Sequence, residues 1–161
     1  TSLLRFLIRL LARHRCSSVR MRFMSLAADC TFVMRVINPE GMYDATERLY
    51  SHARVQNGTL YVSGQVGRYR HGDVVGPDIE SQTRRAFENV ETILAAVDED
   101  LTSVAKVTSY FTDIESDFTA YKRVWGETFA EPYPAHTAIG VEALATPELC
   151  LELDVEVPLG E

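Results

Sequence analysis

Asn57 and Gly58 constrain this chain more than any other pair of residues. They separate two β-prone runs, Tyr50 to Gln56 and Thr59 to Ser63, by a two-residue link. So short a link closes only when both residues take positive φ, and Asn-Gly does so at the least steric penalty. The chain therefore holds an antiparallel hairpin. Its second run leaves through Ser63-Gly64-Gln65-Val66-Gly67, where glycines let another backbone or a ligand come close.

The remaining elements follow from periodicity. Arg35 to Ile37 is a short strand closed by Asn38-Pro39-Glu40-Gly41, and Arg68 to Gly76 is a polar loop. Asp78 caps a helix over 79–97, whose Ala86, Phe87, Val90, Ile93, Leu94 and Val97 repeat at the 3.6-residue period. Ala105 to Thr112 alternates as a strand. A second helix over 116–130 carries the stripe Phe118, Tyr121, Trp125 and Phe129, read as core, and Pro132 and Pro134 stop it. Two strands finish the chain, His136 to Val141 and Leu149 to Val157. The order β-β-β-α-β-α-β-β predicts an α+β domain, a mixed sheet with both helices on one face.

At 161 residues, 46% apolar and 24% charged, the chain has room for one such domain. Its charge is uneven. Residues 1–34 hold Arg5, Arg9, Arg13, Arg15, Arg20 and Arg22 against Asp29 alone. Of the 16 basic and 23 acidic residues overall, that leaves 10 basic and 22 acidic for the rest. So acidic a body repels phosphate backbones, which argues against a nucleic-acid partner. No apolar run is long enough for a bilayer, so no membrane partner is expected. Residues 1–33 read as an arginine-rich extension, either a misassigned start or an organellar presequence, and 34–161 as the domain. Cys16, Cys30 and Cys150 form no CxxC spacing, consistent with a reducing compartment. The expected location is cytoplasmic, or mitochondrial if the extension is a presequence. Four histidines without ligand spacing give no metal site.

The residues that could carry chemistry cluster late in the chain. On the 136–141 strand, His136, Ala138 and Gly140 share one side, leaving space beside the imidazole. The last strand presents Glu152, Asp154 and Glu156 on one face, where burial would turn a carboxylate into a usable acid or base. The Pro134-Ala135-His136-Thr137 segment, set against that strand, is the expected small-molecule site. Ser63-Gly64-Gln65 could form an anion nest, and Asn89 sits where it could face a ligand.

Taken in order, these blocks resemble one family: Tyr50-Ser51-His52-Ala53, Asn57 through Gly67, Gln82-Thr83 with Asn89, Lys106-Val107-Thr108 with Phe111-Thr112-Asp113, Pro134-Ala135-His136-Thr137, and Leu151-Glu152-Leu153-Asp154. The chain resembles the RidA/YjgF family of reactive-intermediate (enamine/imine) deaminases, also called endoribonuclease L-PSP. The resemblance covers residues 35–157. It implies a chorismate mutase-like fold and a homotrimer with a site in each of three clefts between subunits. It also implies Glu152 as the group that activates water on a C=N bond, and Tyr50, Ser63, Gly64, Asn89 and Thr137 as substrate-binding residues. No cofactor is implied.

One position departs from the pattern. Where the family has a carboxylate-gripping arginine, this chain has His136, an imidazole that offers one donor instead of a charged fork. His136 would serve as a second catalytic residue, kept charged by Glu152 or acting as a base. Arg68, Arg54 and Arg123 are the arginines that could supply a cation instead. Two functions stay open: hydrolytic deamination of a small imine or enamine, and a non-catalytic metabolite-binding trimer.

Overall fold

The hairpin forms as its turn chemistry requires. In the structure, a computed structural model describing residues 34–160, Asn57 and Gly58 take φ values of 53° and 71°. They join β2 (Ala53–Gln56) to β3 (Thr59–Val66), and β1 (Arg35–Ile37) pairs with the outer side of β2. The reading of residues 1–33 lies outside the described residues.

Two helices and three further strands complete the element order. They are α1 (Ile79–Ala95), β4 (Lys106–Phe111), α2 (Ile114–Thr128), β5 (Ala135–Gly140) and β6 (Leu151–Pro158). The strands form one six-stranded sheet in the order β1-β2-β3-β6-β4-β5. Every neighbouring pair is antiparallel except β4 and β5, which α2 connects as a crossover. The sheet is mixed, as the α+β reading expected. The last strand lies at its centre, between β3 and β4.

Alternation sets the two faces. Leu151, Leu153, Val155 and Val157 of β6 are buried, with Leu60 and Val62 of β3 and Val107 and Phe111 of β4 beside them. Ala86, Phe87, Val90, Ile93 and Leu94 of α1 and Tyr121 and Val124 of α2 close the same core. The opposite face carries Glu152, Asp154 and Glu156 with Tyr61 and Tyr110, their register partners on β3 and β4. Asp78 caps α1 by accepting from Ser81 N at 2.8 Å. Asp113 caps α2 in the same way, so that helix starts two residues earlier than its apolar stripe suggested.

Candidate functional site

β3 does not run straight. Val62 pairs with Val155 and Gln65 with Leu153, so Ser63 and Gly64 together oppose Asp154. The extra residue is a β-bulge, a device that bends a strand and re-aims its neighbours. It brings Gly64 against Glu152 of β6. A Cβ on Gly64 would lie 1.7 Å from Glu152 Oε1. The glycine is needed because the carboxyl fills the space a side chain would take.

Glu152 forms part of a cavity of about 410 Å³, lined also by Tyr50, Ser63 and Gly64, on the face of the sheet opposite α1 and α2. Tyr43, Arg48 and Arg68 contribute further polar groups, and Val66, Ala145 and Leu149 an apolar wall. Burial, and then the neighbouring Asp154, push the Glu152 carboxyl above the ordinary carboxylate range. Asp154 in turn accepts from Tyr110 Oη at 3.1 Å. Tyr50 and Tyr43 share a short hydroxyl–hydroxyl hydrogen bond, and burial, then that bond, raise the Tyr50 phenol. Arg48 places its guanidinium 5.1 Å from the centre of the Tyr43 ring.

Behind the tyrosines lies His52, buried and packed edge-on against both rings. Its Nε2 lies 2.8 Å from Tyr43 O, and a carbonyl only accepts, so that nitrogen carries the hydrogen. Nδ1 is left without a partner among the described residues. Ser63 is tied down as well: its Oγ donates to Ser51 O at 2.7 Å and its N to His52 O at 2.9 Å.

His136 sits elsewhere. β5 pairs with β4 alone, so β4 separates the His136 segment from β6. The register Val107↔His136 turns His136 to the helix-covered face, opposite Glu152. The expected juxtaposition of His136 with the carboxylates therefore does not occur within one chain. The space beside the imidazole is filled by α2. Trp125 and Tyr121 lie with ring centres 4.4 Å and 5.6 Å from His136, and His136 Nε2 is 3.1 Å from Ser109 Oγ. This packing lowers the His136 pKa, although the side chain stays exposed at the sheet edge. Within one chain Glu152 does not reach His136, and desolvation favours the neutral ring.

Two other expected ligand contacts also fall outside the cavity. Asn89 is buried and donates through Nδ2 to Val66 O at 3.0 Å and Arg68 O at 3.2 Å, so it holds the end of β3. Thr137 is exposed on the edge strand β5. Of the three arginines weighed as substitute cations, Arg68 alone lines the cavity. Arg123 pairs with Glu80 on the helices, and Arg54 lies on β2 beside Met34. Tyr43, Arg48 and Thr146 escaped the sequence reading because they lie in loops or a single 3-10 turn without periodicity, and Leu149, read there as the start of the last strand, precedes β6 instead. Among the described residues no cluster of three or more His, Cys, Asp or Glu could hold a metal ion, and no helix is long and apolar enough to cross a membrane.

A bulged, mixed α+β sheet with a half-buried carboxyl at the edge of a cavity defines the fold class. Comparison with known proteins gives the family. The endoribonuclease L-PSP family model matches residues 43–157. Over 113 residues the chain is 38% identical to the RutC family protein YjgH of Escherichia coli, covering 70% of this chain and 86% of that one. The solved structure of protein YjgH superposes with a TM-score of 0.73 at 36% identity, covering 79% of this chain and 97% of that one. A 2-iminobutanoate/2-iminopropanoate deaminase of Homo sapiens is 33% identical over 96 residues, 59% of this chain and 69% of that one. A putative regulator, AldR, of Lactococcus lactis is 34% identical over 107 residues, 66% of this chain and 83% of that one. The chain belongs to the RidA/YjgF (endoribonuclease L-PSP) family.

Proposed function

We propose that the protein hydrolyses the C=N bond of a small imine or enamine tautomer, releasing a carbonyl compound and ammonia. The observation that carries this reading is the half-buried Glu152 carboxyl, pressed against Gly64 in a cavity sized for a small molecule. A carboxyl with a raised pKa exchanges protons near neutral pH more readily than an exposed one. Glu152 takes a proton from water as its oxygen attacks the imine carbon, then returns one to the departing nitrogen. Tyr50, Ser63 and Gly64 shape the wall facing the substrate. The deaminase name of the human relative supports this chemistry. No cofactor takes part in these steps.

We further propose that the working assembly is a homotrimer. Nearly the whole of β5 is exposed at the sheet edge, including His136 and Thr137, and an adjoining copy would cover it. In that arrangement His136 and Thr137 would approach a neighbour's cleft, and His136, neutral by its own packing, would act there as a proton acceptor or a hydrogen-bond donor.

The test couples an amino-acid oxidase, which generates the imine, to this protein and follows imine decay. Wild type should accelerate decay, and Glu152→Gln should lose roughly 100-fold or more, the scale of a missing general acid–base group. Decay equal to the buffer control would end the deaminase reading. A second reading, a trimer that binds a metabolite without turnover, is favoured by His136 standing where the family's arginine grips substrate, and by the regulator name of the Lactococcus relative. Ligand-dependent thermal shift with no imine decay would establish it instead.

A further inference from the structure

Two guanidinium groups line the Glu152 cavity, and neither forms a salt bridge with a carboxylate among the described residues. Arg68 is the better held. Its Nη1 donates to Gly72 O and its Nη2 to Thr146 Oγ1, both at 2.6 Å. These acceptors are neutral, so they fix the fork without cancelling its charge. Glu148 is the acid whose titration Arg68 touches, and only as the least of its influences. A guanidinium has five N–H donors, so several remain for a ligand.

The backbone of Arg68 is anchored just as firmly. Its carbonyl accepts from Asn89 Nδ2 at 3.2 Å and from Arg85 Nε at 3.1 Å, and its N donates to Val66 O at 2.7 Å. Asn89, expected from the sequence to touch substrate, instead positions this arginine. An ordered cation with free donors in a walled cavity is the arrangement that recognises a carboxylate.

We infer that Arg68 is the anion anchor of this cleft, with Arg48 as a second cation, and that the ligand is a 2-imino or 2-keto carboxylate with an apolar side chain. The inference rests on the reading of the cavity as an imine site. It assigns the lost grip of the His136 position to a residue of the loop that follows β3. The acid group lies at Arg68, the imine carbon beside Glu152, and the side chain against Val66 and Leu149.

Calorimetric titration with 4-methyl-2-oxopentanoate and with its methyl ester tests this on the full chain. Wild type should bind the acid more tightly than the ester. Arg68→Gln should weaken the acid roughly 10- to 100-fold, the scale of a charged hydrogen bond, and leave the ester unmoved. Arg68→Lys should fall between, and Arg48→Gln should show a smaller loss of the same kind. Arg123→Gln, away from the cleft, should match wild type. Equal loss of acid and ester in Arg68→Gln would reveal a merely structural arginine and overturn the inference. So would a wild type indifferent to the acid, or binding abolished by His136→Gln and kept by Arg68→Gln. Imine decay reads the other question: acid binding through Arg68 without turnover keeps the anchor and ends the deaminase reading. Turnover untouched by Arg68→Gln does the reverse.

Discussion

Glu152 is half-buried in the cleft, and its raised pKa makes stability depend on pH in a definite sense. The folded carboxyl keeps its proton above the ordinary value of 4.5, so the native state binds more protons than the unfolded chain from there up to the raised value. Folding stability therefore falls as pH rises through that window. Glu152→Gln removes the charge that the native state must shelter. The variant is expected to melt higher than wild type at pH 7 and to match it at pH 4, a comparison that thermal melts at both values would check. Gly64→Ala makes a complementary point. Its new Cβ meets the Glu152 side chain from Oε1 to Cγ, which can swing aside where backbone could not, so folding should survive with a melting shift of about 3 °C or less. Imine turnover should nevertheless drop roughly tenfold or more, because the carboxyl leaves its place. Sequence placed Tyr50, Ser63, Gly64 and Glu152 as candidates, and the fold gathers these into one cavity. It could not place Arg48 or Tyr43, because a loop side chain has no periodic signal. It misplaced Asn89, because a buried amide serving backbone carbonyls looks the same in sequence as one serving a ligand.

Local elements were legible wherever one physical signal dominated. The Asn57-Gly58 hairpin follows from two positive φ angles, and α1 from an aspartate cap followed by an apolar stripe. The order of strands was not legible, since alternation says which face is buried but not which strand is next. That is why His136 and Glu152, both correctly set on strands, landed on opposite faces with β4 between them. α1 is locked to the cleft through Gln82, whose Nε2 donates to Gly76 O and Glu148 O and whose Oε1 accepts from Cys150 N at 2.9 Å. Gly67 makes this possible: a Cβ there would come within 2.6 Å of Gln82 Cα. Backbone cannot swing away as the Glu152 side chain can. Gly67→Ala is therefore expected to lose about 1–3 kcal/mol, the scale of overpacking, while Gly64→Ala loses little. Denaturant titration of the two variants side by side would check the contrast, and equal losses would contradict it.

At the scale of the whole molecule, one face of the sheet has no helix over it among the described residues. Val36, Tyr61 and Ile139 stand 52%, 48% and 39% exposed on that face, in company with Tyr110 and the β6 carboxylates. The cleft opens on the same side as this apolar surface, so the surface that would seat a second copy also bounds the site. Association of that kind usually buries on the order of 1,000 Å² or more in total, and apolar residues at its centre carry most of the affinity. Sedimentation is therefore expected to give a mass of three 18.1 kDa chains. Ile139→Lys, which puts a charge on the exposed face, should lower that mass while leaving the helical circular dichroism intact. Two site assignments then separate. If His136 of an adjoining copy completes the cleft, the dissociated variant loses imine turnover along with its partners. If Arg68 and Glu152 suffice, it keeps keto-acid binding through Arg68 although the sheet edge is bare. A monomeric wild type would remove the neighbour's β5 from the chemistry altogether, leaving Tyr50, the bulge at Ser63-Gly64, the Glu152 carboxyl and the two arginines to act within one chain.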